Sequence, residues 1–257
     1  MIQNGYKIKQ YTISPVAGMR LIAKALIQIP EVLDALENRT IVIISGRTNR
    51  YVAEEFLNKT KQQEGFYKEQ FFRGITLSSD NSKFDLGRSG HDGKFLGDVV
   101  ITKGEWQRGL NMFHVADQLR PGDLIFKGAN AVNLETLQAA TLIGHPAAGT
   151  INPVLKCVGR GCAKLYLPIG LNKRIMGDIK EISAGLNMNN LTGVGYMPIS
   201  GTIITELQAI KIISGCEAEL VAIVGLSDTE AAYRIAVTGL EQQIMIMDEA
   251  YSSICKE

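Results

Sequence analysis

Residues 40–58 have the sequence TIVIISGRTNRYVAEEFLN, and this stretch decides the fold. Thr40–Ile44 is a run of β-branched residues without polar alternation, which is typical of a parallel strand buried on both faces. The run stops at Ser45-Gly46, and apolar residues then recur at helical spacing from Tyr51 to Leu57. A strand, a tight turn and a helix in this order form half of a βαβ unit.

Apolar runs and helical patterns alternate along the rest of the chain. A helix is predicted after Ser227, because Ser227 and Glu230 have the spacing of a capping box, and it ends at Thr238-Gly239. This alternation predicts an α/β fold with a mainly parallel, Rossmann-like sheet and helices on both faces. The other predicted strands are 74–77, 97–101, 124–126, 165–169 and 219–224. The other predicted helices are 16–26, 30–38, 151–158, 178–186, 202–213 and 240–254.

The length of 257 residues is long for one domain and short for two. We therefore expect a single α/β domain over residues 1–257, with a possible lid or insertion at about 65–110. Within that range, Ser78–Lys94 is rich in Ser, Asp, Asn and Gly. A long polar loop inside a compact domain is usually functional or mobile.

The composition excludes several classes of protein. The net charge is +1, and the chain lacks the basic stripe that binding to nucleic acid requires, so no nucleic-acid partner is expected. No apolar run approaches the roughly 18 residues of a membrane span, and the first residues lack the apolar core of a secretory signal, so a cytoplasmic location without membrane contact is expected. The four cysteines, Cys157, Cys162, Cys216 and Cys255, are then expected to be reduced thiols.

The turn Ser45–Asn49 is the best candidate for a ligand site. Gly46 lets the backbone bend sharply, Thr48 and Asn49 offer short polar side chains, and Arg47 offers a fork of donors for phosphate or carboxylate. The helix that follows directs its unpaired N–H groups at the same point, which favours a small anion. The alternative is an ordinary turn in which Thr48 or Asn49 only caps the helix.

Three further turns are expected at the carboxyl ends of strands, where ligands bind in parallel α/β sheets. They are residues 127–130, 144–150 and 225–228. Gly128, Asn130, Gly149 and Thr150 are candidate ligand-binding residues in the first two of these turns, and Lys127 is a candidate for the reacting end of the site.

Two other residues are candidates for proton transfer. Glu206 is the one acid in a strongly apolar segment, where desolvation would raise its pKa and suit it to act as a base or a nucleophile. The alternative for Glu206 is a helix-start residue paired with a nearby donor. His145 lies in a Gly-rich turn, but a lone histidine is more often a structural hydrogen-bond partner than a catalyst. The spacing of His and Cys residues indicates no metal site, and no cofactor is expected.

Residues 15–58 resemble the opening of the superfamily that contains ribose-5-phosphate isomerase, glucosamine-6-phosphate deaminase, the CoA transferases and the subunits of translation initiation factor 2B. Those proteins open with a helix, a β-branched strand and a Gly-Ser/Thr turn that holds a phosphate, and Gly46–Asn49 matches that turn. Lys127-Gly128-Ala129-Asn130 is similar to their later Asp-Gly-Ala-Asp or Gly-Ala-Asp segment, and Gly149-Thr150 is similar to a Gly-Thr in the initiation-factor-like members. The resemblance implies the fold and an anion site.

The same resemblance has a departure that concerns the reaction. Lys127 and Asn130 stand where the isomerases have carboxylates that transfer protons, and an amide cannot act as a general base. Three interpretations therefore remain open. The chain is an enzyme for a sugar phosphate or a CoA-type ligand, a non-catalytic metabolite-binding or regulatory protein on the same fold, or an unrelated α/β protein with purely structural turns. The apolar face of the last helix also predicts an oligomer, most simply a dimer.

Overall fold

The computed structural model describes residues 5–71, 97–145, 147–188, 193–225 and 231–255. Twelve strands and eight α-helices lie within these ranges. The strands are β1 (Tyr6–Ile13), β2 (Thr40–Ile43), β3 (Val99–Thr102), β4 (Glu105–Trp106), β5 (Asp123–Phe126), β6 (Ala131–Asn133), β7 (Gln138–Ile143), β8 (Ala163–Pro168), β9 (Gly195–Ile199), β10 (Thr202–Ile204), β11 (Glu217–Gly225) and β12 (Ala231–Leu240). The helices are α1 (Pro15–Leu26), α2 (Pro30–Asn38), α3 (Asn49–Lys59), α4 (Met112–Val115), α5 (Ile151–Gly159), α6 (Ile179–Leu186), α7 (Glu206–Ser214) and α8 (Glu241–Cys255).

The α/β prediction is confirmed, and the central sheet is mixed. Its six strands have the order β10-β8-β5-β2-β3-β4. The first four are parallel to one another, whereas β3 is antiparallel to β2 and β4 is antiparallel to β3. Two three-stranded antiparallel sheets, β1-β12-β11 and β6-β7-β9, complete the described strands.

Both faces of the central sheet are buried. Along β2, Ile41 and Ile43 pack into a core that includes residues of α1, α3 and α7, whereas Val42 packs into a second core with residues of α4 and α5. This arrangement explains the unbroken apolar run of β2, because a strand covered on both sides has no position for a polar side chain.

The small sheet β1-β12-β11 corrects the sequence prediction for the chain after Ser227. The predicted helix is wrong over 231–240, where β12 pairs antiparallel with both β1 and β11. The side chains of Tyr233, Ile235 and Val237 alternate inward with a period of two, which is the period of a strand. The capping-box residues lie outside the described residues, as do residues 226–228 of the predicted turn. Strand β11 belongs to this sheet rather than to the central one.

Three smaller outcomes concern other predicted segments. The predicted helix over 202–213 begins as strand β10 and becomes helical only at Glu206. Part of the proposed lid, Val99–Trp106, is the antiparallel edge of the central sheet, while the predicted strand 74–77 and the polar loop Ser78–Lys94 lie outside the described residues. Helix α8 buries Ile244, Met247 and Ile254 against its own chain, and the dimer stays a prediction.

Candidate functional site

Four adjacent parallel strands end at one edge of the central sheet, which we call the carboxyl edge. The segments that follow these strands are the turn 45–48 after β2, Lys127–Asn130 after β5, residues 169–174 after β8 and Thr205-Glu206 after β10. Helices α3 and α7 begin at this edge because each directly follows one of these strands. Helix α5 also begins here, because it leads back to the start of β8.

The turn after β2 is held by the side chain of Asn49, which is fully buried. Its Nδ2 donates to the carbonyl oxygens of Ile44 (2.7 Å) and Phe126 (3.0 Å), so it joins the ends of β2 and β5. Thr48 is also buried. Of the four residues predicted to hold a ligand in this turn, only Gly46 and Arg47 are open to solvent, and Arg47 is the more exposed.

Asp98 holds the same turn through hydrogen bonds, and the sequence analysis did not identify this residue. Its buried carboxylate accepts hydrogen bonds from the backbone N–H groups of Ser45 (3.1 Å) and Met112 (2.9 Å). The one available signal was an acid placed directly before the apolar run of β3. Asp98 therefore sets the position of the turn rather than facing a ligand.

The segment after β5 contains three of the predicted residues, Lys127, Gly128 and Asn130, of which Gly128 is partly exposed. The Lys127 backbone N–H donates to the Tyr166 carbonyl, which continues the sheet by one residue, and its Nζ lies 3.4 Å from the Gly128 carbonyl oxygen. Asn130 is directed away from the edge, because its Oδ1 accepts from Thr141 Oγ1 (3.2 Å) and the Leu142 N–H (3.0 Å). The side chain of Asn130 thus fixes the β6–β7 hairpin.

Lys173 is the second residue that the sequence analysis missed. It ends a short 3-10 turn, Leu171–Lys173, and its Nζ donates to the carbonyl oxygen of Ala129 at 2.7 Å. Burial, and secondarily the positive charge of Arg47, lower the pKa of Lys173 to about 8, while Glu206 opposes that shift. Lys173 therefore lies within electrostatic reach of both Arg47 and Glu206, although the three residues come from different strand ends.

Glu206 is the first residue of α7, and its side chain is only 1% exposed. Its Oε2 accepts the Leu171 N–H at 2.9 Å, whereas Oε1 has no hydrogen-bond partner among the described residues. Burial raises the pKa of Glu206 to about 7, and backbone N–H groups and Lys173 only partly oppose the shift. The predicted desolvation of this acid is confirmed.

Close packing against α1 produces that desolvation. A Cβ atom at Gly18 would lie 2.3 Å from Glu206 Oε1, and one at Gly170 would lie 3.4 Å from the same oxygen. Only glycine at position 18 leaves space for the carboxyl group. Tyr233 of β12 is buried near Glu206, and burial together with the Glu206 charge raises the pKa of its hydroxyl.

The remaining predicted residues lie around the start of α5. His145 is exposed, and its Nδ1 accepts the Ala147 N–H at 3.1 Å within the same turn. Gly149 has a positive φ of 53°, and Thr150 directly precedes α5 without a side-chain cap hydrogen bond. His145 therefore holds its own turn, and Gly149 and Thr150 are partly exposed at the start of α5.

In the parts of the chain that the structure describes, no group of three or more His, Cys, Asp or Glu side chains could hold a metal ion. No helix in the same ranges is long and apolar enough to cross a membrane. The four cysteines are free thiols, of which Cys157 and Cys216 are buried.

Comparison of the chain with protein-family models, with curated proteins and with solved structures found no match.

Proposed function

We propose that the protein is a small-molecule enzyme that binds an anionic ligand, of the sugar-phosphate or CoA type, at the carboxyl edge. Arg47, Lys127 and Lys173 would hold the anion, and Glu206 would exchange protons. The observation that carries this proposal is the position of the buried Glu206 carboxyl within electrostatic reach of Lys173, which in turn feels the charge of Arg47.

The charges at this edge favour an anion. Arg47, Lys127 and Lys173 follow three neighbouring parallel strands, whereas the acids that we place at this edge, Glu206 and Asp98, are both buried. The N-terminal ends of α3, α5 and α7 add partial positive charge at the same edge. This placement agrees with the rule that ligands of parallel α/β sheets bind beyond the carboxyl ends of the strands.

The pKa values of Glu206 and Lys173 support a catalytic role rather than ligand binding alone. A general acid or base works best when its pKa lies near the working pH, since both protonation states are then populated. The pKa of Glu206 is about 7 and that of Lys173 is about 8, so each group can gain or lose a proton under ordinary conditions. Perturbed titratable groups of this kind cluster at active sites, although ion-pair networks also produce them.

We also propose that the chain is related to the isomerase and CoA transferase superfamily. The Rossmann-like classification of the sheet is part of this proposal. The helix, strand and turn over 15–58 support it, because they occur in the expected order and the turn opens toward the carboxyl edge. Lys127 and Asn130 replace the isomerase carboxylates, so the proton would have to move through another group. Glu206 is the buried acid that supports this role.

The first test is thermal stability in the presence of sugar phosphates, CoA esters and nucleotides. A ligand at 100 times its dissociation constant should stabilise the native state by about 2.7 kcal/mol. The wild type should respond, Arg47→Ala should not, and Arg160→Ala should respond like the wild type. Arg160 is a matched control because it is exposed and lies at the far end of α5, away from the carboxyl edge.

The same panel separates the two functional alternatives. A stabilising ligand that is converted when incubated with the wild type, but not with Glu206→Gln, supports the enzyme. A stabilising ligand that is never converted supports a metabolite-binding or regulatory protein instead. If no compound stabilises the wild type, the proposed anion site is wrong.

A further inference from the structure

We propose that Lys173 is a nucleophilic amine that forms an imine with a small aldehyde or ketone whose anionic group is held beside Arg47. This proposal rests on the proposed function, because it uses the same anion site, and it narrows the ligand to a carbonyl compound with a negatively charged arm. It also assigns a covalent step to a residue outside the turn after β2.

The position of the amine supports a covalent role. Lys173 follows β8, which lies between β10 and β5 in the sheet. Its amine contacts Ala129 in the segment after β5 and interacts electrostatically with Glu206 after β10. The 3-10 turn fixes the backbone of Lys173, and the hydrogen bond from Nζ to the Ala129 carbonyl oxygen (2.7 Å) fixes the end of the side chain. That carbonyl is a neutral acceptor, so this contact adds no carboxylate charge to hold the ammonium form.

The electrostatic surroundings of Lys173 favour its neutral form. A nucleophilic lysine is commonly activated by burial or by a neighbouring cation, and both act here, burial being the larger. With a pKa of about 8 instead of 10.5, Lys173 has roughly a hundredfold more neutral amine at pH 8 than an ordinary lysine. The positive charge of Arg47, which disfavours the ammonium form of Lys173, would also bind an anionic group of the substrate.

The covalent step is balanced without an oxidant or a reductant. The nitrogen lone pair of neutral Lys173 bonds to the carbonyl carbon, the π electrons of the carbonyl move to oxygen, and a proton passes from nitrogen to that oxygen. The resulting carbinolamine expels its hydroxyl with one proton as water, and a carbon–nitrogen double bond remains. Water later reverses the step and releases the carbonyl product.

Pyridoxal phosphate is a suitable probe, because it combines an aldehyde with a phosphate. The full-length protein would be incubated with it at pH 8, reduced with borohydride and mapped by peptide mass spectrometry. We expect Lys173 to be modified at least about tenfold faster than exposed lysines such as Lys180, since neutral amine is the reacting species. Excess inorganic phosphate should slow the labelling of Lys173 and leave that of Lys180 unchanged.

Three variants make the outcome decisive. Lys173→Arg keeps the positive charge, so it should lose the label but retain stabilisation by phosphate. Arg47→Ala should lose both, and the control Arg160→Ala should retain both. If phosphate stabilises the wild type while Lys173 labels no faster than Lys180, the imine is refuted and the anion site stands. If phosphate has no effect and Lys173 is not labelled, both proposals fail. Labelling that is unchanged in Arg47→Ala refutes the anionic arm.

Discussion

Replacing Glu206 with Gln should make the protein more stable above neutral pH and leave its stability almost unchanged in acid. The pKa of Glu206 rises from 4.5 to about 7 on folding, so between these values the native state binds a proton that the unfolded chain has released. The stability contributed by protonated Glu206 is therefore fully present below about pH 4.5 and is lost as the pH rises through 7. A difference of about 2.5 pKa units corresponds to about 3 kcal/mol.

Gln is the matched substitution, because it has nearly the same shape as the protonated acid and keeps an acceptor for the Leu171 N–H. Relative to the wild type, Glu206→Gln should gain little at pH 4 and about 3 kcal/mol above pH 8, which for a chain of this size is a rise of roughly 6–12 °C in Tm. The assay is urea denaturation from pH 4 to pH 9, followed by the fluorescence of Trp106, the one tryptophan. The exposed acid Glu37 supplies the control, and Glu37→Gln should show a small difference at every pH.

The raised pKa of Glu206 is refuted if Glu206→Gln loses stability relative to the wild type as the pH rises. That result would mean that the ionised carboxylate is stabilised by Lys173 more than burial destabilises it. A difference that does not change between pH 4 and pH 9 would equally show that Glu206 has an ordinary pKa in the folded protein. Either outcome would remove the main support for Glu206 as a proton carrier.

Three further predictions concern the same edge. Gly18→Ala should destabilise the protein by about 1–3 kcal/mol, although Ala is the better helix former, because its Cβ would overlap Glu206 Oε1. In a Glu206→Ala background the loss should be smaller, which urea denaturation of the wild type, the two single variants and the double variant would measure. Asn49→Ala should lower stability by about 1–3 kcal/mol, because the Ile44 carbonyl loses the Asn49 donor and the Phe126 carbonyl keeps only the Ile44 N–H. Stability equal to that of the wild type in the same assay would contradict that role. The pKa of Lys173 is lowered on folding, so between pH 8 and 10.5 the unfolded chain binds a proton that the native state has released. Wild-type stability should therefore rise over this range relative to Lys173→Arg, in which the arginine stays charged. A constant difference between the urea midpoints of the two proteins over this range would contradict the shift.

The parts of the fold that were predictable are those in which local sequence and burial agree. The β2–α3 unit is an example, because an apolar run covered on both faces and an amphipathic helix each show their own period. Strand β12 was assigned as a helix because the spacing of Ser227 and Glu230 is a local signal. Its partner β1 lies more than 200 positions earlier, and no local pattern records that pairing.

Strand β1 was missed for a related reason. It lies at one edge of its three-stranded sheet, and its first five residues are exposed, so Lys7 and Lys9 make the segment polar. Only Tyr11 and Ile13 are buried and show the alternation of a strand. A half-exposed edge strand has too few buried positions to be recognised from composition.

The candidate site was predictable in part. The desolvation of Glu206 followed from its apolar neighbours in sequence, and the structure shows the burial. Lys173 was missed because Asn172-Lys173-Arg174 has the composition of an exposed polar loop. Its surroundings come from Ala129, Arg47 and Glu206, which the sheet order brings close and the sequence separates. Asn49 was expected to contact a ligand, but its amide group donates to the carbonyl oxygens at the ends of two strands instead.

The pairing of β1 with β12 has a consequence for synthesis on the ribosome. Arg234 of β12 donates to the Thr12 hydroxyl across 222 positions, and the two strands are in register from Tyr6–Leu240 to Ile13–Tyr233. Residues near the start of the chain therefore emerge long before their partner has been translated. During that interval β1 exposes backbone groups that can pair with other chains, and contacts this distant in sequence also form slowly. Nascent chains that stall before β12 should consequently be more prone to aggregation than the finished protein.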